Sequence, residues 1–313
     1  MAETLTRRAP AKVNLALAVG PPDPASGDRR HPICSWMVRI SLCDDLSLTR
    51  LPAGSLSRYA LLWAPDARHQ PDIDWPIRTD LAVRAHLALR EAVGRELPVQ
   101  MKIEKRIPLG AGLGGGSSDA AAMLLACNDL FDLRLPVEQL RELAAVLGSD
   151  VPFFIEHRSA VIEGFGERIA PAREPHDLNL VLCLPEYGCA TAEVYRLFDD
   201  RPPQAFEASA GRVRALAQAE RLDAESVFND LAEPAFVHRP QLRDLAASVA
   251  DLAERPAHMT GSGAALFVAC GDPLEAEALA ATVTERLGVP ALAVTLDAAE
   301  GAGVGGPIRS GRR

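Results

Sequence analysis

The sequence predicts a two-domain protein in which strands and helices are mixed. Three observations carry this. The chain has 313 residues, more than one ordinary hydrophobic core organises. Period-two apolar runs are interleaved with helical ones in both halves. Between them lies Pro108-Leu109-Gly110-Ala111-Gly112-Leu113-Gly114-Gly115-Gly116-Ser117-Ser118-Asp119, in which five of the seven residues from Gly110 to Gly116 are glycine.

Composition narrows the function classes. With 48% hydrophobic and 24% charged residues the chain is ordinary for a soluble globular protein, and 5% aromatics imply a core of Leu, Val and Ala. A net charge of −9 and a pI near 5.4 argue against a nucleic-acid partner and leave any anionic ligand to local features. The six cysteines show no Cys-x-x-Cys pair and no framework spacing, which points to buried thiols in a reducing cytoplasm. His31 and Cys34 lack companions for a metal cage, so no metal ligands are assigned. Arg7-Arg8 before Val13 to Val19 imitates an export leader. That apolar run is too short for one, and Lys12 and Asn14 interrupt it, so no membrane or export segment is expected.

Taken in order, Val13, Leu15, Leu17 and Val19 alternate on one face of a strand, and Lys12 and Asn14 share the other with Ala16 and Ala18. Read alone, the second face is the solvated side of an amphipathic strand. Pro21 to Arg30 is a loop ending at His31. Ile33 to Thr49 is extended, with a turn near Asp44-Asp45, and Trp36 reads as core. A strand over Tyr59–Trp63 precedes a Pro- and Asp-bearing loop to Thr79. Asp80 to Val93 is a helix with a Leu81, Ala85, Ala88, Leu89, Ala92 stripe, stopped by Gly94. Val99 to Ile107 then delivers the chain into the glycine stretch. Lys105 and Arg106 at its end read equally as surface charges or as anion partners.

Glycine adopts positive φ and has no Cβ, so such a loop can approach a ligand with its backbone. The Ala/Leu-rich run from Ala120 to Leu130 continues as a helix, with Ser117 or Ser118 as cap and Asp119 in its first turn. A glycine arch feeding a helix start aims free N–H groups at one place, a phosphate site; the plain alternative is a ligand-free turn. Gly110-x-Gly112-x-x-Gly115 formally fits the dinucleotide fingerprint. That needs a strand and an acid about 20 residues on, whereas Asp129 and Asp132 fall between two helices. No Gly-Lys-Ser/Thr follows, which excludes a Walker loop.

Pro136 to Leu147 is a second helix, bounded by Gly148. In Gly148-Ser149-Asp150-Val151-Pro152-Phe153-Phe154-Ile155, Asp150 opens an apolar segment. Alone it reads as a helix cap, with a catalytic carboxylate as the other possibility. Near Pro171 to Pro175 the chain crosses into its second half. There Leu178–Leu184 is a strand, Ala192–Phe198, Ala208–Ala219 and Pro240–Glu254 are helices, and Thr260-Gly261-Ser262-Gly263 precedes the strand Ala264–Ala269. The helix Leu274–Leu287 and strand Ala291–Leu296 follow, and the Gly-rich tail is expected to be disordered.

Together these residues resemble the GHMP kinase superfamily. Ala9-Pro10-Ala11-Lys12-Val13-Asn14-Leu15 resembles its first motif, Lys105 through Ala121 its ATP loop, and Gly148 through Phe154 the segment with its catalytic aspartate. Asn229-Asp230 and Met259 through Gly263 resemble later signatures. The triple glycine with Ser-Ser, and Asp-Val-Pro-Phe-Phe, are similar to the branch acting on a cytidine diphosphate-linked methylerythritol rather than on mevalonate or homoserine.

The resemblance implies a two-domain α+β enzyme. Residues 1–172 would form an ATP-binding domain like ribosomal protein S5 domain 2, 173–298 a ferredoxin-like GHMP kinase domain, and 299–313 a disordered tail. It implies ATP- and Mg2+-dependent phosphorylation of that substrate's 2-hydroxyl, in the non-mevalonate route to isoprenoids, by a cytoplasmic monomer or homodimer. Lys12 and Asp150 would be catalytic. Lys105, Pro108, Gly110, Ala111, Gly112, Leu113, Gly114, Gly115, Gly116, Ser117 and Ser118 would bind ATP, as would Asp80 and Asp119, where relatives often carry Asn. Asn14, His31, Tyr187, Gly261 and Ser262 would bind the substrate, His31 and Tyr187 at cytosine. Asp28-Arg29-Arg30-His31 departs from the family's Asp-Gly-Tyr-His, so Arg30 would replace an aromatic on the base. Another kinase of the superfamily, or a silent nucleotide-binding regulator, are the alternatives.

Overall fold

The computed structural model describes residues 3–22, 30–202, 205–219, 221–297 and 308–309. Its spine is a ribbon of two long strands, β1 (Thr4–Val19) and β2 (Ile33–Arg50), paired antiparallel almost end to end. β3 (Arg58–Trp63) lies parallel to β4 (Val99–Lys105), which pairs with the later half of β2; between them α1 (Leu81–Val93) is capped by Asp80 and closed by Gly94. After the glycine stretch come α2 (Gly115–Leu130), α3 (Val137–Leu147) and the six-residue α4 (Val151–Glu156). β5 (Ser159–Gly164) returns to the first half of β2, and β6 (Arg168–Pro171) pairs with β5. The turn expected near Asp44-Asp45 is absent: β2 runs straight through, because the buried Asp44 has partners on the next strand, given below.

The second half is β7 (Asn179–Cys183), α5 (Thr191–Asp199), α6 (Phe206–Leu216), β8 (Phe228–Asn229), α7 (Ala232–His238), α8 (Pro240–Ala253), β9 (His258–Met259), β10 (Leu266–Cys270), α9 (Pro273–Leu287) and β11 (Ala291–Thr295). Its sheet is antiparallel in the order β11-β7-β10-β9. β8 and β12 (Ile308–Arg309) join the first sheet on β1; the rest of the tail lies outside the described residues.

Three cores order these layers. One packs α1–α4 on the first sheet, one lies between the two sheets, and one packs α5 and α7–α9 on the second sheet. β7 shows the arrangement: Leu180 and Leu182 enter the middle core and Val181 and Cys183 the outer one, which is why its sequence is apolar throughout. The class is α+β, as expected.

β1 departs from simple alternation. Its register shifts between Pro10 and Lys12 and again between Asn14 and Ala16. The second shift exchanges faces, so Val13, Leu15, Ala16 and Ala18 point into the middle core and Leu17 and Val19 into the outer one. Lys12 and Asn14, read as a solvated face, are each only 3% exposed. From Ala9 to Val19 every residue is buried, so this part of β1 has no solvated face.

Candidate active site

The glycine loop, β1, the start of α4, the start of α5 and the 260–263 turn enclose a cavity of about 550 Å3. Gly114 sits at the N-cap of α2 with φ 71°, and α2 begins at Gly115 with no side-chain cap. Ser117 and Ser118, expected as caps, therefore lie in the first turn, and Asp119 lies beyond it. The N–H groups of Gly115, Gly116 and Ser117 have no intrahelical acceptor, and all three residues line the cavity. Open amides of this kind at a helix start can receive an anion.

Much of the glycine content serves protein contacts. A Cβ on Gly112 (φ +76°) would stand 2.3 Å from the Thr260 carbonyl oxygen, and one on Gly261 3.0 Å from that of Gly112. The Ala265 N–H donates to the Ala111 carbonyl at 3.1 Å and the Lys12 N–H to that of Leu113 at 2.9 Å. The loop is thus strapped between β1 and the 260–265 segment. Asn229 holds that segment from behind, its Nδ2 donating to the carbonyls of Met259 and Gly261, both at 2.8 Å.

Lys12 Nζ donates to Asn14 Oδ1 at 2.5 Å and lies 3.7 Å from Asp150 Oδ2. Asn14 is fixed in turn, its Nδ2 donating to Ser35 Oγ and its backbone N–H to Thr260 Oγ1. Burial lowers the Lys12 ammonium below its ordinary value, against the opposing pull of Asp150. Asp150 occupies the cap position of α4, yet its side chain accepts no bond from that helix. The cap reading is corrected: the carboxylate turns to Lys12 and the cavity.

Lys105 also lines the cavity, and its Nζ donates at 2.6 Å to both Asp44 Oδ2 and Asp119 Oδ2. Burial pulls the Lys105 ammonium down, but Asp119 and Asp44 together outweigh it and hold it above its ordinary value. Burial, against the pull of Lys105, lifts the Asp119 carboxyl from 3.8 to about 7. The two shifts are compatible because one ammonium balances one carboxylate. Asp44 also accepts the N–H groups of Arg106 and Ile107, whereas Asp119 Oδ1 has no partner, so the surplus charge falls to Asp119. Folded Asp119 binds its proton more tightly than unfolded Asp119, so this group makes the fold less stable as pH rises from about 4 to about 7. Asp119→Asn removes that slope. Thermal melts across this range should show the variant gaining on the parent with pH; a constant difference would refute the assignment.

Of the remaining expected site residues, Pro108, Gly110, Ala111, Gly112, Leu113, Gly114, Gly261 and Ser262 line the cavity. Others stand apart from it. Asp80 Oδ1 accepts the N–H groups of Ala82 and Val83 as the α1 cap. Ser118 and Asp119 are buried behind the loop. Arg106 bridges Asp45 and Asp66 at the surface. Arg30 lies over the Phe165 ring, 4.8 Å from its centroid. Tyr187 lines a separate cavity of about 320 Å3 with His69, Pro71 and the far side of Pro108 and Leu109.

His31 is tied by Nδ1 to the Gly20 carbonyl and lies 3.5 Å from Asp199, its ring 5.0 Å from that of Tyr195. Tyr195 and Thr191, which sequence reasoning did not single out, line the main cavity instead of Tyr187. Burial and then Asp150 push the Tyr195 phenol up to about 12. The signal was present in the amphipathic α5, whose Val194 and Phe198 face the core and leave Tyr195 on the adjoining side.

The GHMP kinases N terminal domain matches residues 80–158, which contain the loop, α2 and Asp150. A 4-diphosphocytidyl-2-C-methyl-D-erythritol kinase of Paenarthrobacter aurescens is 33% identical over 94% of this chain and 93% of its own. A crystal structure of 4-(cytidine 5'-diphospho)-2C-methyl-D-erythritol kinase superposes with a TM-score of 0.71 at 34% identity, covering 94% of this chain and 99% of that one. A homoserine kinase from Cytophaga hutchinsonii superposes at 0.69 with only 15% identity over 98% of this chain and 97% of its own, a likeness of fold alone. On that sequence identity, sustained over nearly the full length, the chain belongs to the 4-diphosphocytidyl-2-C-methyl-D-erythritol kinase family of GHMP kinases.

Proposed function

We propose that the protein transfers the γ-phosphoryl group of ATP to the 2-hydroxyl of 4-diphosphocytidyl-2-C-methyl-D-erythritol, in the non-mevalonate route to isoprenoid precursors. The observation that carries this is one cavity holding both the open amides of α2 and the Lys12–Asp150 couple. The amides hold the polyphosphate. The substrate oxygen attacks the γ-phosphorus, the bond to the ADP oxygen breaks, and the hydroxyl proton passes to the Asp150 carboxylate. Lys12 offsets charge on the transferring group, and Asn14 keeps its ammonium aimed.

Among the described residues no three His, Cys, Asp or Glu side chains form a metal cage. A Mg2+ arriving with the nucleotide would keep phosphate and water oxygens as most of its ligands, so it needs no all-protein cage and leaves Asp150 to take the proton. When bound, the ion neutralises phosphate charge. The smaller cavity, sharing Pro108 and Leu109 with the loop, suits the adenine of the same nucleotide. A cytoplasmic location fits the six buried, unbridged cysteines. No helix among the described residues is long and apolar enough to cross a membrane.

Tyr195, backed by His31, is the aromatic surface for cytosine. Base stacking on an aromatic ring contributes about 1–3 kcal/mol, so Tyr195→Ala should raise KM for the cytidylated substrate roughly 5- to 150-fold, with Tyr187→Ala leaving it unchanged. The reverse pattern would move the base to the smaller cavity. The assignment as a whole is tested by ADP release with the cytidylated alcohol against mevalonate and homoserine. Turnover of either alternative at an equal or higher rate would overturn it.

A further inference from the structure

Arg39 is a buried cation, 7% exposed, for which no ion pair is found among the described residues. Burial lowers its guanidinium to about 10 against the opposing pull of Asp297, which stops short of an ion pair, so its position is energetically unfavourable unless more compensates. What it does have is a grip on α4. Its Nη2 donates to the carbonyl of Phe154 at 2.6 Å and to that of Phe153 at 3.3 Å, and its guanidinium lies 5.8 Å from each of their rings.

Arg39 is also the cross-strand partner of Lys12, just after the first register shift of β1. Directly paired residues project to the same face of a sheet. Two cations therefore rise side by side beneath α4. Lys12 reaches Asp150 at the start of the helix, and Arg39 reaches the carbonyls near its end. A helix of six residues has little rigidity of its own, and no side chain caps its start.

We propose that Arg39 is a positioning residue for phosphoryl transfer, holding α4 on the β1–β2 ribbon so that Asp150 stays within reach of Lys12. This rests on the reading of Asp150 given above. Arg39→Met keeps the volume of the side chain and removes both the charge and the bonds. Removing a buried, unpaired charge is favourable, but the Phe154 carbonyl loses its donor, so the two effects oppose each other and the melting midpoint should move little. Misplacement by about 1 Å from a remote change slows a reaction by up to about 100-fold, so kcat should fall roughly 10- to 100-fold with KM for ATP unchanged. Arg39→Lys, which restores a charged donor, should recover most of the loss.

A methionine variant with parental kcat overturns the proposal. So does equal loss in both variants accompanied by a matching drop in midpoint. Should the methionine protein fail to fold, Arg39→Gln replaces it under the same criteria. Crystal structures of parent and variant give a readout independent of substrate. A Lys12–Asp150 separation widened beyond 3.7 Å supports the proposal, and an unchanged one overturns it. If the parent itself does not turn over the cytidylated alcohol, the substrate assignment fails, and this separation alone decides the role of Arg39.

Discussion

Asp150→Asn should lower kcat by about 10²- to 10⁴-fold, the usual contribution of a positioned proton acceptor, while KM for ATP changes little. The substitution is clean because the Asp150 side chain caps nothing: α4 receives no bond from it, so an isosteric amide leaves the helix as it is. The nucleotide is held on the other wall by main-chain amides, which the change does not touch. A second signature accompanies the first. Asp150 is what opposes the burial-driven lowering of the Lys12 ammonium. Without that carboxylate Lys12 releases its proton at lower pH, and the alkaline limb of residual activity should move down with it. A coupled ADP-release assay across pH measures both effects. An asparagine enzyme with parental kcat would remove Asp150 from the chemistry. A large loss with an unmoved alkaline limb would separate it from Lys12.

The contrast between Asp150 and Asp44 shows what the sequence conveys and what it conceals. Both lie beside residues that commonly form turns or caps, and local chemistry assigns both to such roles. Their actual partners are distant in the chain: Lys12 for the first, Lys105 and the amides of Arg106 and Ile107 for the second. No local pattern contains a contact across 61 or 138 positions. The same limit explains β1. Alternation marks a strand correctly, but a bulge leaves no mark in apolar periodicity, and two covered faces look like one. Helices fared better, since α1, α3 and α9 carry their own stop signals in Gly94, Gly148 and Gly288. In the site, the loop and the Lys12–Asp150 couple were legible because several motifs occur together in order. Tyr195 was not, because periodicity gives a helix face but not what that face meets.

The glycine loop yields the other large effect. Gly112→Ala should destabilise the fold by about 2–5 kcal/mol, combining a residue forced to positive φ with an overpacked contact. Its added carbon would meet the Thr260 carbonyl at 2.3 Å, and that oxygen belongs to backbone, which cannot swing aside as a side-chain tip can. Thr260 also accepts the Asn14 amide through its hydroxyl, so relief of the clash by moving the 260–263 turn would disturb the group that aims Lys12. The melting midpoint should drop by roughly 5–10 °C, and KM for ATP should rise as the loop shifts. Gly116→Ala is the internal comparison. It lies in the first turn of α2 without a positive φ, and its Cβ would meet only a Leu81 methyl at an ordinary 3.5 Å. Alanine is better than glycine in a helix by about 0.5–1 kcal/mol, so this protein should melt at or slightly above the parental midpoint. Equal midpoints for the two variants would mean that the loop is not clamped by the 260–263 turn. Its glycines would then be needed for the ligand alone.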